Sequence, residues 1–224
     1  MPQVEGLIGR AVEKMIERSV RARFHTVFWR KADFEFRKPV IFVPNHHGWH
    51  DGYLMFHLIR RLQIECLDWI TEFDAFPLFA KVGGMPFPAD DPARRATTVR
   101  TTIRRMNEDR KSLILFAESD LHRPPEILPL GKALETVLKH VPGSQVVPVA
   151  IVYQMSLHER PEVALSVGAP VPDPNRESVR EALETLHRRT THHMQNPEQH
   201  FEVLVRGTLD VNERWDVRRR FGKK

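Results

Sequence analysis

Short apolar runs that stop abruptly alternate along this chain with longer segments of helical periodicity, and this alternation constrains the fold more than any other feature. "KPVIFVPN" enters through Pro39 and closes at Pro44-Asn45, the pattern of a strand buried on both faces. "DGYLMFHLIRRL" follows and reads as a helix, with Asp51 near its start, where a carboxylate suits the helix dipole. "ECLDWIT", "SLILFAES", "QVVPVAIVY" and "EVALSVGAPV" read as further strands. "DPARRATTVRTTIRRMNED" has an Asp-Pro helix start, and "LGKALETVLKHV" is a helix ended by Pro142-Gly143. "NRESVREALETLHRRTTHHMQ" opens on an Asn cap and carries an apolar stripe of Val179, Leu183, Leu186 and Met194. The pattern predicts an α/β fold: a single domain with a mostly parallel central sheet flanked by helices.

Composition narrows the setting. The chain has 224 residues, 41% of them hydrophobic, enough for a core without disulfides. A single cysteine, Cys66, excludes a disulfide framework and points to a reducing compartment. The apolar stretches are too short and too interrupted by charge to span a bilayer, and the N-terminus lacks the apolar core of a signal peptide. The formal net charge is +5, which suits an anionic partner. No nucleic-acid recognition motif accompanies that charge.

The basic residues cluster at the two ends. In "GLIGRAVEKMIERSVRARFHTVFWRK", Leu7, Ile8, Ala11, Val12, Met15, Ile16 and Val20 recur at helical spacing, with Arg10, Lys14, Arg18, Arg21 and Arg23 between them. Two readings stand: an amphipathic helix lying in a membrane interface, or a surface helix packed on its own domain. The tail "RWDVRRRFGKK" sets Trp215 and Phe221 among cations, which suits either a lipid surface or a solvated end.

"VPNHHGWHDGYLM" places three histidines and an aspartate between a buried strand and a helix, where open α/β sheets bind ligands. On one regular helix His46 and Asp51 would sit roughly 140° apart, so they meet only if the chain turns between them. Gly48 makes that turn easy. A carboxylate on one imidazole nitrogen fixes the tautomer and leaves the other nitrogen as a base. Two other readings compete. His46 and His50 have the four-residue spacing of helical zinc ligands, but without the glutamate of the metalloprotease motif. A solvated polar turn is the third reading.

"NHHGWHD" resembles the N-H-x-x-x-x-D motif of the glycerolipid acyltransferase family, the 1-acylglycerol-3-phosphate acyltransferases and their relatives, with His46 and Asp51 at its signature positions. Three later blocks keep the family's order. "VGGMPFPADDPARR" matches at Gly84 and Phe87, "LILFAESD" matches at Phe116 and Glu118, and "VVPVAI" matches at Pro148. The likeness covers about Phe36 to Val167. It implies direct acyl transfer from acyl-CoA or acyl carrier protein, as co-substrate, to a hydroxyl group. The histidine would be the general base and the aspartate its orienting partner, with no bound cofactor and no metal. Ser119 is a candidate nucleophile, though nothing in the sequence marks it as activated. Backbone amides near Gly48 or at the following helix start would stabilise the oxyanion.

The departures bear on the acceptor. The family places arginines in the second and third blocks to hold a phosphate. Here the second falls near Asp90, and Leu121 takes the other. Arg94, Arg95 and Arg123 are the nearby substitutes. Carboxylates at Asp90, Asp91, Glu118 and Asp120 favour a non-phosphorylated acceptor such as a glycolipid or another hydroxylated lipid; the alternative is that they form a solvated loop face. The substrate-binding set is therefore Gly84, Phe87, Arg94, Arg95, Glu118, Ser119 and Arg123. Lysophosphatidate acylation in phospholipid synthesis, or a non-catalytic lipid- or acyl-carrier-binding relative, are the alternatives. Residues 1–30 are expected to form the amphipathic helix, 31–210 the acyltransferase domain and 211–224 a basic tail. The protein is expected in the cytoplasm, peripheral on the inner face of the cell membrane, with anionic lipid as its partner surface.

Overall fold

The computed structural model describes residue 4 and residues 6–216. Helix α1 (Gly6–Arg23) leads into strand β1 (Thr26–Lys31), and β2 (Val40–Pro44) is followed by α2 (Asp51–Leu62). Then come β3 (Cys66–Ile70), two short 3-10 turns (Phe73–Ala75 and Pro77–Val82), β4 (Gly84–Pro86), α3 (Pro92–Glu108) and β5 (Ser112–Ile114). The chain closes with α4 (Lys132–His140), β6 (Gln145–Gln154), β7 (Glu162–Val167), α5 (Arg176–His193), α6 (Pro197–His200), β8 (Glu202–Arg206) and α7 (Val211–Trp215). The strands form one sheet in the order β4-β3-β5-β2-β6-β7-β1-β8. Only β6 with β7 and β1 with β8 pair antiparallel; the other neighbours are parallel.

Alternation along β2 divides the core. Val40 and Phe42 pack with Leu54, Met55, Leu58 and Ile59 of α2 and Val20 of α1. Ile41 and Val43 point the other way, to Met106 of α3, Leu134 and Val137 of α4 and Val179 of α5. Both faces are covered, which is why the strand reads as a continuous apolar run. The helix starts follow local chemistry. Asp91 accepts from the Arg94 amide at 2.9 Å ahead of Pro92, and Asn175 accepts from the Glu177 and Ser178 amides, both at 3.0 Å.

Several expectations change. The N-terminal helix ends at Arg23, and Thr26–Lys31, placed by the sequence inside a helical segment running to residue 30, is an interior strand between β7 and β8. Of α1, Val12, Ile16 and Val20 are buried against the protein itself, while Arg10, Lys14 and Arg18 face outward. Its apolar stripe is thus largely consumed by its own domain, and Leu7, Ile8 and Ala11 stay exposed. "SLILFAES" is a strand only over Ser112–Ile114; Phe116 to Ser119 turn away. Val211–Trp215 of the tail forms a short helix, whereas Phe221 lies outside the described residues. No helix among the described residues is long and apolar enough to cross a membrane.

Candidate active site

The sheet switches direction at β2, whose neighbours β5 and β6 lead the chain to opposite sides, and a crevice opens beyond its C-terminal end. Asn45, His46, His47 and Gly48 sit there. Asn45 is fully buried; its amide donates to the Ile151 carbonyl at 3.0 Å and its oxygen accepts from the Ile151 amide at 2.7 Å, pinning the turn to β6. The chain then folds back so that His46 Nδ1 donates to Asp51 Oδ2 at 3.0 Å. With Nδ1 so engaged, Nε2 carries the lone pair, and the 24% exposed His46 side chain lines the crevice.

Asp51 is fully buried and accepts two more hydrogen bonds: from the Gly48 amide at 2.9 Å to Oδ2, and from the Tyr153 hydroxyl to Oδ1. Burial and the adjacent Asp51 carboxylate push the Tyr153 phenol far above its ordinary pKa, so it stays a donor. Gly48 is needed for space rather than for a left-handed turn: a Cβ there would lie 2.3 Å from the Tyr153 oxygen. Its amide is committed to Asp51, which removes it from the expected oxyanion donors.

Glu118 is buried and holds the loop instead of facing solvent. Its Oε1 accepts from the His46 amide at 2.8 Å, and Oε2 accepts from the Leu128 amide at 2.6 Å and from His122 Nε2 at 2.7 Å. These bonds occupy its oxygens, so the expected direct contact of Glu118 with substrate is replaced by positioning of the histidine backbone. The Phe116 ring packs on His46 with centroids 4.5 Å apart. Tyr153 and His122 escaped the sequence reading, because nothing in local spacing links them to the motif; Asn45 is legible only as the motif's first residue, without its bonds to Ile151.

A cavity of about 810 Å³ runs from His46 beneath α2. Of the residues singled out from the sequence, His46, Gly84, Phe87, Arg95 and Ser119 line it, whereas Asp51 supports it from behind. Gly84 leaves room where a Cβ would meet Ile70 Cδ1 at 2.8 Å, and Phe87 stacks on Trp69 at 4.5 Å. Arg95 donates to the Pro88 and Ala89 carbonyls. Arg94 lies outside the lining, paired with Asp74 at 2.5 and 2.7 Å, and Arg123 is exposed and also outside it. Asp91 caps α3, and Asp90 is exposed. The two clusters of possible metal ligands among the described residues, His25/His158/Asp210 and His47/Glu118/His122, include neither His46 nor His50.

A dyad with a free imidazole nitrogen over a large, mostly apolar cavity suits proton removal from a hydroxyl beside a bound acyl chain. The family model described as Acyltransferase matches residues 21–152, more than half of the chain. The chain belongs to the acyltransferase family. This acyltransferase shares its fold with the 1-acyl-sn-glycerophosphate (LPA) acyltransferase PlsC from Thermotoga maritima, whose crystal structure aligns with a TM-score of 0.56 at 19% identity over 84% of this chain and 80% of that one. No curated protein sequence matches the acyltransferase chain.

Proposed function

We propose that this enzyme moves a fatty acyl group from acyl-CoA or acyl carrier protein to a hydroxyl of a non-phosphorylated lipid acceptor, with His46 as general base. The hydroxyl proton passes to His46 Nε2 as the oxygen attacks the thioester carbonyl. Asp51, held by Gly48 and Tyr153, keeps the imidazole in the required tautomer and stabilises the imidazolium. Collapse of the tetrahedral intermediate expels the thiolate, which takes the proton. A positioned base is worth about 10²–10⁴-fold in rate, and the remainder comes from holding the two substrates together.

The observation that carries the acceptor class is the charge of the cavity wall. Glu72 and Asp120 line it, against Arg95 as its cation among the described residues. A dianionic phosphate wants bidentate arginine. A second reading, acylation of lysophosphatidate, rests on Arg95 turning from its carbonyl partners toward a phosphate. Exposed Trp49 and Leu121 at the cavity, with Leu7, Ile8 and the outward cations of α1, support docking on an anionic membrane surface. Labelled acyl-CoA and acyl carrier protein, offered with a total lipid extract and the product identified by mass, test the reading. An acylated neutral lipid is expected; an acylated lysophosphatidate, lost in Arg95→Ala, establishes the second reading instead.

A further inference from the structure

Asp68 is a carboxyl in the wrong surroundings for a structural residue. It lies in the middle of β3, in register with Gly84 of β4 and Ile114 of β5. Two residues after Cys66, it projects from the same face of the sheet, into the cavity beneath α2. The lining around it is apolar: Phe56, Ile59, Ile70 and Ile114. Asp68 Oδ1 is buried and has no hydrogen-bond partner. Oδ2 faces the first turn of α2, where a Cβ on Gly52 would stand 3.8 Å away, so the glycine leaves that approach open. Burial raises the carboxyl to about 7, with the Trp69 backbone amide pulling the other way, so near neutrality a substantial share of it carries a proton and can donate as well as accept.

An unmatched carboxyl in an apolar wall weakens the fold, and no salt bridge or network within the protein compensates at Oδ1. The compensation must come from what fills the cavity. A saturated acyl chain brings no polar atom, whereas a hydroxyl on that chain offers both a donor and an acceptor. The position of the hydroxyl follows from the helix. Gly52 directly follows Asp51, which holds His46, so Asp68 faces the turn that carries the dyad. His46 and Asp68 line the same cavity, so a chain whose thioester carbon reaches His46 runs past Asp68 near that end.

We propose that Asp68 selects acyl chains bearing a hydroxyl close to the thioester, by hydrogen bonding that hydroxyl in the cavity wall. The inference rests on the reading that this cavity receives the acyl donor.

Equilibrium binding to the full chain tests it without turnover, using 3-hydroxytetradecanoyl-CoA and tetradecanoyl-CoA followed by calorimetry. The wild-type protein should bind the hydroxylated thioester about tenfold more tightly, the worth of one hydrogen bond of about 1.4 kcal/mol. Asp68→Leu should abolish or reverse that ratio, mainly by tightening the unsubstituted thioester, and should raise the unfolding midpoint. Asp68→Asn, which keeps a donor and an acceptor, should retain most of the preference and guards against a packing fault in the leucine variant. Equal wild-type affinities, or a preference that survives in Asp68→Leu, would overturn the inference alone. Binding of neither chain, offered as its CoA thioester and as its acyl carrier protein thioester, would overturn the acyl-cavity reading and the inference with it.

Discussion

Tyr153→Phe isolates one hydrogen bond at the centre of the site. The substitution keeps the ring that packs 5.9 Å from Phe24 and removes only the hydroxyl that donates to Asp51 Oδ1. Asp51 is fully buried, and its other two donors, His46 Nδ1 and the Gly48 amide, both reach Oδ2. Oδ1 is then left without a protein donor. A hydrogen bond to a charged group contributes about 1.5–3 kcal/mol, and an orphaned buried acceptor costs the full desolvation, so a stability loss of about 2–3 kcal/mol is expected. Urea unfolding should show it as a lower midpoint at unchanged slope. Tyr153 does not line the cavity, so the kinetic effect should fall on kcat, by about tenfold, with KM unchanged. Asp51→Asn completes a double-mutant cycle, with a coupling of about 1–3 kcal/mol expected for groups in direct contact. A midpoint within about 0.5 kcal/mol of wild type, with additive single effects, would refute the claim that Tyr153 braces the dyad.

Three further outcomes follow from neighbouring contacts. Gly48→Ala should cut activity and stability together, and Tyr153→Phe in the same chain should not rescue it, because the added Cβ also lies 2.4 and 2.6 Å from ring carbons of Tyr153; a rescued double variant would contradict this. Glu118→Gln turns an amide NH2 toward donors it cannot accept from, so a loss of about 2–4 kcal/mol in chemical denaturation is expected, with unaltered stability contradicting the loop-clamp role. His57, whose pKa burial depresses to about 4, favours the folded state above its unfolded value near 6.5, and that stability should be lost as pH falls from about 6.5 to 4. The loss from this residue is at most about 3 kcal/mol; His57→Leu also removes a buried, unpartnered Nε2 and should flatten that limb of the stability–pH curve, whereas a curve identical to wild type would contradict it.

What the sequence discloses is what short-range chemistry decides. The β2–turn–α2 unit is legible because Pro39 and Pro44 bracket an apolar run and an acidic helix start follows. The His46–Asp51 contact is legible because one turn of chain makes it. Tyr153 is hidden because sheet order alone brings the end of β6 beside that turn, and the same holds for Asn45 with Ile151. Strand β1 is hidden because no glycine or proline separates it from α1, and its Val27-Phe28-Trp29 run continues the apolar rhythm of the helix. Strand β8 is hidden because it is a half-exposed edge with weak alternation. Glu118 looked like an acceptor-facing acid because the loop that buries it, reaching Leu128, forms only in the folded chain.

The central claim is that His46 Nε2 removes the acceptor proton. Transfer of a labelled acyl group from acyl-CoA or acyl carrier protein into the lipid extract, compared between wild type and His46→Ala at equal thioester binding, tests it most directly. Wild type should form the acylated lipid, and His46→Ala should lose at least about 10²-fold in kcat while keeping its unfolding midpoint, because His46 adds little to the core. Wild-type turnover in His46→Ala would contradict the general-base account.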